Sequence, residues 1–296
     1  MRFLIYFMLA LFLFSYRVSD AAEKKIKNLI YISLDGVSRN TLYELIRKKR
    51  LKGIQRVIQR GNYRNMQSSG GGLFQRYAVM LTGTSRVSIY PFDWFQPLMS
   101  QEGLFSTLKT HVPGIQTACL LPRLPLGMDL ASLDLLIKFN QGMIDHIVMP
   151  ENRSVATVTE EVVRFFGGLE PPFMAFLSLP NALAVGTRFR EGAEVYSDTI
   201  IKLDRLILRI SSQLKQRGLW EDTAVIITTP VSLQSKSRHL SDQTWIASTF
   251  PVSRRGQLVD IVPTIYDYYG IDFSSLRLEG TRLWNIKNVT SVSPRD

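Results

Sequence analysis

Cysteine and histidine are both scarce in this chain. The 296 residues include one cysteine, Cys119, and three histidines, His111, His146 and His239. A single cysteine cannot form an internal disulfide, so the fold has to depend on its apolar core. Three histidines also leave few imidazoles for a metal centre, and a lone histidine is more often a structural or surface residue than a ligand.

Long apolar runs are absent after the first residues. Residues 3–14 are apolar, follow a positively charged start and precede small residues at Ser19 and Ala21. This order is typical of a secretory signal peptide, so we predict a leader at 1–21, a single domain at 22–296 and a secreted or periplasmic location. An uncleaved membrane anchor is the alternative, although this apolar run is short for a span. No later run reaches about 18 apolar residues, so we expect no transmembrane segment in the mature chain.

Acidic residues are outnumbered by basic ones. The chain has 36 Lys and Arg against 25 Asp and Glu, which gives a formal net charge of +11. No acid interrupts a basic stretch that consists of Arg47, Lys48, Lys49, Arg50, Lys52, Arg56, Arg60 and Arg64. Such a stretch is typical of a solvated helix surface or of a surface that meets an anionic ligand. Aromatic residues do not alternate with it as in a single-strand nucleic-acid groove, so the expected partners are an anionic ligand or an envelope protein, not nucleic acid.

Apolar, β-branched runs alternate with helical patterns along the rest of the chain. The predicted strands are 29–35, 116–121, 145–150, 173–179, 223–229 and 244–249. The clearest helix is 192–217, whose apolar residues recur at spacings of three and four and which ends before Gly218. This alternation predicts an α/β fold, namely a three-layer α/β/α sandwich with a mainly parallel sheet.

Several stretches, taken in order, resemble the alkaline phosphatase superfamily, in particular its phosphodiesterase and sulfatase-like branches. They include LIYISLDG (29–36), AVMLTG (78–83), PPFMAFLSLPNALAVG (171–186), GLWEDTAVIITTPVS (218–232) and LVDIVPTIYDYYGID (258–272). The resemblance implies an alkaline phosphatase-like fold. It also implies a chemistry in which two zinc ions, about 4 Å apart, hold a phosphoryl or sulfuryl group for in-line attack by a Ser or Thr.

The resemblance assigns a role to each position of that site. Asp35, at the end of the first strand, is the expected metal ligand, and His239 matches the terminal histidine. The nucleophile position is Leu73, which has no oxygen. The remaining ligand positions carry residues that bind zinc poorly or not at all: Asn181, Val185, Pro230 and Val231. We therefore expect no catalytic residue and no cofactor, with Asp35 and His239 as vestigial ligands.

Two substitutes for the missing nucleophile fit poorly. Ser68 and Ser69 lie near Leu73, but in-line attack tolerates little misplacement. The sulfatase branch uses a cysteine in C-x-P-x-R, whereas the segment 119–123 is one residue longer and follows the LTG segment instead of preceding it. Cys119 is interpreted as a small apolar residue buried in a strand.

These residues favour a binding or structural protein over an enzyme. We expect Asp35 to cap the following helix or to accept other hydrogen bonds, and we interpret the chain as an exported, catalytically inactive alkaline phosphatase-like protein. The alternative is a metal-dependent phosphate or sulfate ester hydrolase, phosphodiesterase-like, whose site is rebuilt around zinc from Asp35, His239 and new ligands, for which Asp242 is a candidate. A third interpretation is a subunit of an envelope complex, for which residues 91–98 offer an aromatic surface.

Overall fold

The structure is a computed structural model that describes residues 27–68, 71–85, 103–121, 142–149, 155–234 and 237–284. The predicted leader, Ser69 and the aromatic segment 91–98 lie outside these residues. The strands are β1 (Asn28–Leu34), β2 (Asn62–Gln67), β3 (Gln116–Leu120), β4 (His146–Val148), β5 (Phe173–Leu179), β6 (Thr223–Thr228), β7 (Ser232–Gln234), β8 (Ser237–Ser241), β9 (Gln243–Ser248) and β10 (Gly256–Gln257). The helices are α1 (Arg39–Arg47), α2 (Lys52–Ile58), α3 (Leu73–Thr82), α4 (Leu104–His111), α5 (Val155–Gly168), α6 (Asn181–Phe189), α7 (Glu194–Gln216) and α8 (Ile261–Tyr269), with a 3₁₀ turn at Leu258–Asp260. None of the helices in the described ranges is long and apolar enough to cross a membrane.

Eight strands form one sheet in the order β10-β2-β9-β6-β1-β5-β3-β4, and β7 pairs with β8 in a separate hairpin. β1 lies between β5 and β6 and is parallel to both, so that Ser33 stands opposite Ser178 on one side and Thr228 on the other. β9 is antiparallel to both β6 and β2, and β2 therefore runs in the same direction as β1. The predicted α/β class with a mainly parallel sheet is confirmed.

Helices cover both faces of the sheet and form the two outer layers of the sandwich. Ile30 and Ile32 of β1 pack in one apolar core with side chains of α1, α2, α5, α6 and α7. Leu29 and Tyr31 face the opposite core, which α3, α4 and α8 complete. Every residue of β1 and β5 is buried, which explains why these strands are continuous apolar runs with little polar alternation.

The long amphipathic helix predicted at 192–217 is α7, which spans Glu194–Gln216. Gly218 has a φ of 70° and lies just beyond the helix end, as predicted. In this left-handed conformation its backbone N–H reaches the Lys215 carbonyl at 3.0 Å, which ends the helix with one of its free carbonyls satisfied.

The basic stretch does not form one solvated helix surface. Arg47 ends α1, Arg56 lies in α2 and Arg64 lies in β2, a strand that the sequence pattern did not predict. Arg56 donates to the hydroxyls of Ser211 and Ser212, at 3.0 and 2.9 Å. Three-dimensional packing thus divides the charges of this stretch between internal contacts and separate exposed positions.

Arg60 is the clearest inward-facing member of the stretch. Its guanidinium donates to the carbonyls of Trp220 and Thr223, at 2.6 and 3.2 Å, and lies 5.1 Å from the centroid of a Trp220 ring. This arginine therefore fastens the turn between α2 and β2 to the start of β6, which is a structural role.

Candidate functional site

The candidate site lies at the carboxyl edge of the three central parallel strands, where open α/β sheets place their ligands. Asp35 follows β1, Asn181 follows β5 after one residue, and Pro230 follows β6 after one residue. Because β1 is hydrogen-bonded to both neighbours, these three strand ends lie side by side. The backbone ties them further: Asp35 N–H donates to the Leu179 carbonyl at 3.1 Å, and Gly36 N–H donates to the Val231 carbonyl at 3.0 Å.

Asp35 is enclosed by hydroxyl groups. It is 1% exposed, and Ser33 Oγ donates to its Oδ1 at 2.5 Å. Its other oxygen, Oδ2, accepts a hydrogen bond from Tyr77 Oη and a longer one, at 3.4 Å, from Ser178 Oγ. Tyr77 Oη and Ser178 Oγ are themselves 2.7 Å apart. Both carboxylate oxygens are thus engaged by side chains of β1, β5 and α3.

Burial dominates the electrostatics of this cluster. It raises the pKa of Asp35 from 3.8 to about 6, although the hydroxyls of Ser33, Tyr77 and Ser178 act in the opposite direction by favouring the ionised form. Burial and the adjacent carboxyl also raise the pKa of the Tyr77 hydroxyl, which therefore stays protonated and serves as a donor. No cation appears among the groups that shift the pKa of Asp35.

The predicted capping role of Asp35 is wrong. The residue that caps α1 is Ser38, whose Oγ accepts a hydrogen bond from Thr41 N–H at 3.1 Å. Asp35 precedes the capping position of α1 by three residues. Its side chain lies on the face of the sheet that α3 covers, away from α1, and its partners there are the hydroxyls described above. The other expected role, acceptance of further hydrogen bonds, is what the structure describes.

The start of α6 packs directly on the turn after β1. Gly36 has a φ of 79°, and a Cβ there would overlap the backbone of Leu183, so only glycine fits this close approach. Asn181 is the first residue of α6, and Val185, one turn later, packs against the core on the helix side. The positions that the resemblance assigns to metal ligands after β5 therefore hold an amide and an aliphatic side chain at a closely packed helix start.

A buried arginine of α3 contacts the loop after β6. Arg76, 3% exposed, donates to the carbonyls of Pro230 and Ser241, at 3.2 and 3.1 Å, and to Asp242 Oδ1 at 2.7 Å. Burial lowers the pKa of the guanidinium, and the carboxylate of Asp242 offsets this effect only in part. Pro230 and its neighbour Val231 are themselves buried, so this loop is fixed in place by α3.

The remaining predicted site residues that the structure describes lie on several different elements. Leu73 is the first residue of α3, and Ser68 is buried directly after β2. His111 ends α4, and His146 begins β4, where its ring lies 6.0 Å from that of Phe165. Within the ranges that the structure describes, no three or more His, Cys, Asp or Glu side chains are grouped so that they could hold a metal ion.

Three further predictions concern His239, Asp242 and Cys119. His239 lies in β8, and its side chain is outside the described part of the structure. Asp242, the candidate for a new ligand in the rebuilt metal site, is paired with Arg76. Cys119 is buried in β3, where burial raises the pKa of its thiol, as befits a small apolar residue. The end of the segment 119–123 falls outside the described residues.

The sequence did not predict the residues that contact Asp35, which are Ser33, Tyr77 and Ser178. It also did not predict Arg76, which contacts the loop after β6. A signal existed for Ser33, which precedes Asp35 by two residues and so faces the same side of β1. The parallel register would have added Ser178 once β1 and β5 were recognised as neighbours. No local pattern marks Tyr77 or Arg76, because their contacts depend on how α3 packs on the sheet.

Comparisons with known proteins define the fold. No protein-family model matches the chain, and no curated protein matches it in sequence. Its structure is similar to that of the lipoteichoic acid synthase LtaP from Listeria monocytogenes, with a TM-score of 0.64 and 15% identity over 87% of this chain and 75% of that one. It is also similar to a protein in the alkaline phosphatase superfamily from Vibrio parahaemolyticus, with a TM-score of 0.57 and 15% identity over 84% of this chain and 67% of that one.

A third similar structure is murine ectonucleotide pyrophosphatase/phosphodiesterase 5, solved as an inactive variant in complex with AMP. The TM-score is 0.60 and the identity 11%, over 89% of this chain and 99% of that one. At these identities the likeness concerns the fold. The chain has the alkaline phosphatase-like fold that its sequence motifs predict, and its site has to be interpreted from its own residues.

Proposed function

We propose that this chain is a non-catalytic alkaline phosphatase-like protein that works by binding. The observation that carries the proposal is the enclosure of Asp35, the one residue at the carboxyl end of β1 that the resemblance assigns to metal. Ser33, Tyr77 and Ser178 occupy its two oxygens. A carboxylate offers about four lone-pair sites, so these three donors take most of them and disfavour a zinc ion, which would bind an oxygen at about 2.0–2.2 Å.

The hydrogen bonds of Asp35 also give this carboxyl group a structural role. Burial raises its pKa to about 6, and the hydroxyls of Ser33, Tyr77 and Ser178 act in the opposite direction. The cluster suits a carboxyl group that fixes the ends of β1 and β5 to α3.

Arg76 supplies a permanent positive charge at the neighbouring loop. Its four donations, to Gly71, Pro230, Ser241 and Asp242, join α3 to the loop after β6 and to the turn between β8 and β9. A guanidinium that is always charged can organise carbonyl oxygens and a carboxylate without any bound ion. We infer that these contacts hold the strand ends in place in this chain.

The rival function is a hydrolase of phosphate or sulfate esters with a rebuilt zinc site. Such a site would draw on Asp35, His239 and Asp242. Two of the three carboxyl and imidazole groups, Asp35 and Asp242, are engaged by hydroxyls and by Arg76 respectively. A metal ion in a rebuilt site would have to share these carboxylates with their present donors, which disfavours this function.

A turnover assay separates the two functions. Purified chain supplied with zinc would be assayed against chromogenic phosphate monoesters, phosphate diesters, phosphonate esters and sulfate esters, beside Asp35→Ala. We expect the same background rate for both proteins, since the position that the resemblance assigns to the nucleophile is Leu73, which has no side-chain oxygen. Zinc-dependent hydrolysis that disappears in Asp35→Ala, while thermal unfolding shows that the variant is folded, would establish the hydrolase instead.

Export and the identity of a protein partner belong to the proposal as well. The signal peptide at 1–21 and the aromatic segment 91–98 motivate a secreted or periplasmic protein that acts in an envelope complex. Secretion of a reporter fused to residues 1–30 would test the first part. Retention of that reporter in the cytoplasm would contradict it.

A further inference from the structure

A groove lined by arginines lies beside β2, at some distance along the sheet from Asp35. It consists of two adjoining cavities of about 400 and about 420 Å³, which share Asn65, Arg254 and Arg255. We call it the arginine groove and define it by Arg39, Arg64, Arg254, Arg255, Tyr43 and Tyr63. These residues come from α1, β2 and the connection between β9 and β10.

Three of the four arginines make no ion pair with a carboxylate in the described part of the chain. Arg39 donates to Gln243 Oε1 at 2.5 Å, and Arg64 Nε donates to the Val252 carbonyl at 3.3 Å, so both have neutral partners. Arg255 is exposed, and its side chain makes no hydrogen bond or ion pair within the described residues. These guanidiniums are therefore able to donate to an incoming anion.

The fourth arginine forms a fixed wall of the groove. Arg254 pairs with Asp260 at 3.0 Å and donates to the Thr281 carbonyl at 2.8 Å. The Asp260 side chain is only 7% exposed, and its charge is balanced by this ion pair with Arg254. Glu279 is the other carboxylate at the lining, and it accepts hydrogen bonds from Thr84 Oγ1 and Ser85 N–H, both at 3.0 Å. Arginines outnumber acids at this surface.

Aromatic and amide side chains complete the lining. The rings of Tyr43 and Tyr63 are 4.9 Å apart, and Tyr43 Oη donates to Asn65 Oδ1 at 2.5 Å. This contact holds Tyr43 while Tyr63 remains 37% exposed. The groove thus combines flat apolar faces, amide hydrogen-bonding groups and planar guanidiniums along its length.

We propose that the arginine groove binds an extended ligand that carries several phosphate or sulfate ester groups. A guanidinium presents two parallel N–H donors, which match the oxygens of a tetrahedral oxyanion better than a point charge does. Arginines in both cavities favour a ligand with more than one such group. The inference names a site for the binding role proposed above and rests on it, but it uses none of the residues around Asp35.

The direct test compares two charge-matched double variants. Arg64→Gln/Arg255→Gln removes two exposed arginines from the groove, and Arg47→Gln/Arg50→Gln removes two exposed arginines outside it. The probes are a fluorescent sulfated oligosaccharide and a fluorescent polyphosphate, titrated at physiological salt. We expect the groove variant to bind at least one probe about tenfold or more weakly, and the control less than about twofold.

The two probes distinguish the sources of the oxyanions. Tighter binding of the oligosaccharide, lost further in Tyr63→Ala, assigns a sulfated glycan, and tighter binding of polyphosphate without a Tyr63 effect assigns a phosphate polymer. Equal weakening in both double variants would overturn the proposal, because it would show attraction to overall charge only. Binding of neither probe, or tighter binding of single-stranded DNA than of both, would also overturn it. Thermal unfolding checks that each variant is folded.

Failure of this inference and failure of the proposed function give different results. If the chain hydrolyses esters through Asp35 while the groove variant loses the probe as expected, the non-catalytic function is wrong and the groove stands. If no ester is hydrolysed and both double variants behave alike, the groove is wrong and the non-catalytic assignment stands.

Discussion

At the scale of single residues, the neighbours of Asp35 determine its hydrogen bonds and its pKa. The same carboxyl that ends an alkaline phosphatase-like first strand is here surrounded by three hydroxyl groups. These donors satisfy it well enough to stay buried but not well enough to keep its pKa low, since burial raises that pKa to about 6. An acid of this kind stabilises the fold chiefly in its protonated form.

We therefore predict a specific pH dependence for Asp35→Asn. Because the folded pKa lies above the unfolded value of 3.8, the folded state holds the proton to higher pH, and stability from this group falls as pH rises from about 4 to about 6. Urea unfolding at several pH values should show the wild type losing up to about 3 kcal/mol relative to Asp35→Asn across this window. A difference between the two proteins that stays constant from pH 4 to pH 7 would contradict the account.

Residue identities around the site were only partly predictable. The sequence shows directly that Leu73, Val185 and Pro230 offer no oxygen or imidazole side chain, because this follows from side-chain chemistry alone. The engagement of Asp35 by Tyr77 and of Pro230 by Arg76 was not predictable. Those contacts join residues 42 and 154 positions apart in the chain and exist only once α3 is packed.

At the scale of elements, a buried aspartate on one helix caps the start of another. Asp204 of α7 accepts hydrogen bonds from the N–H groups of Gly53 and Ile54, at 2.8 and 2.7 Å. The residue at the usual capping position of α2, Leu51, has no side-chain oxygen. A Cβ at Gly53 would overlap the Asp204 carbonyl, so the glycine permits the two helices to approach.

Asp204→Ala should therefore destabilise the α2–α7 contact. Loss of both acceptors leaves two buried N–H groups without partners, and we expect a decrease of about 2 kcal/mol in the free energy of unfolding. The matched control is Asp198→Ala, an exposed aspartate on the same helix, with an expected effect below about 0.5 kcal/mol. Equal effects of the two variants in urea unfolding would show that the cap contributes nothing.

Elements differ in how well their sequence predicts them. β1, β5 and β6 are largely apolar runs, and their burial on both faces favours that pattern. β2 was missed because NYRNMQ is polar and lies within a basic stretch. It is a strand because β9 and β10 supply its backbone partners, and its half-exposed faces tolerate polar residues. The tertiary environment overrides weak local preference there.

At the scale of the whole molecule, the residues that determine the fold are different from those that would form a catalytic site. The sandwich depends on buried apolar positions spread over many strands and helices, so the motifs that encode it predict the architecture well. The site depends on a few side chains, each of which can change without loss of the fold. The basic residues serve different purposes in the fold: some, such as Arg60, make internal contacts, and others line the arginine groove.

Metal stoichiometry tests the central claim most directly. The chain after the predicted leader would be purified without chelator, resupplied with zinc, passed over a desalting column and measured by elemental mass spectrometry beside Asp35→Ala. We predict less than about a tenth of a zinc ion per folded chain in both proteins, because four of the expected ligand positions (Asn181, Val185, Pro230 and Val231) bind zinc poorly or not at all, and Asp35 already accepts three hydrogen bonds. About two zinc ions per chain, lost in Asp35→Ala, would contradict the account and show a rebuilt catalytic centre.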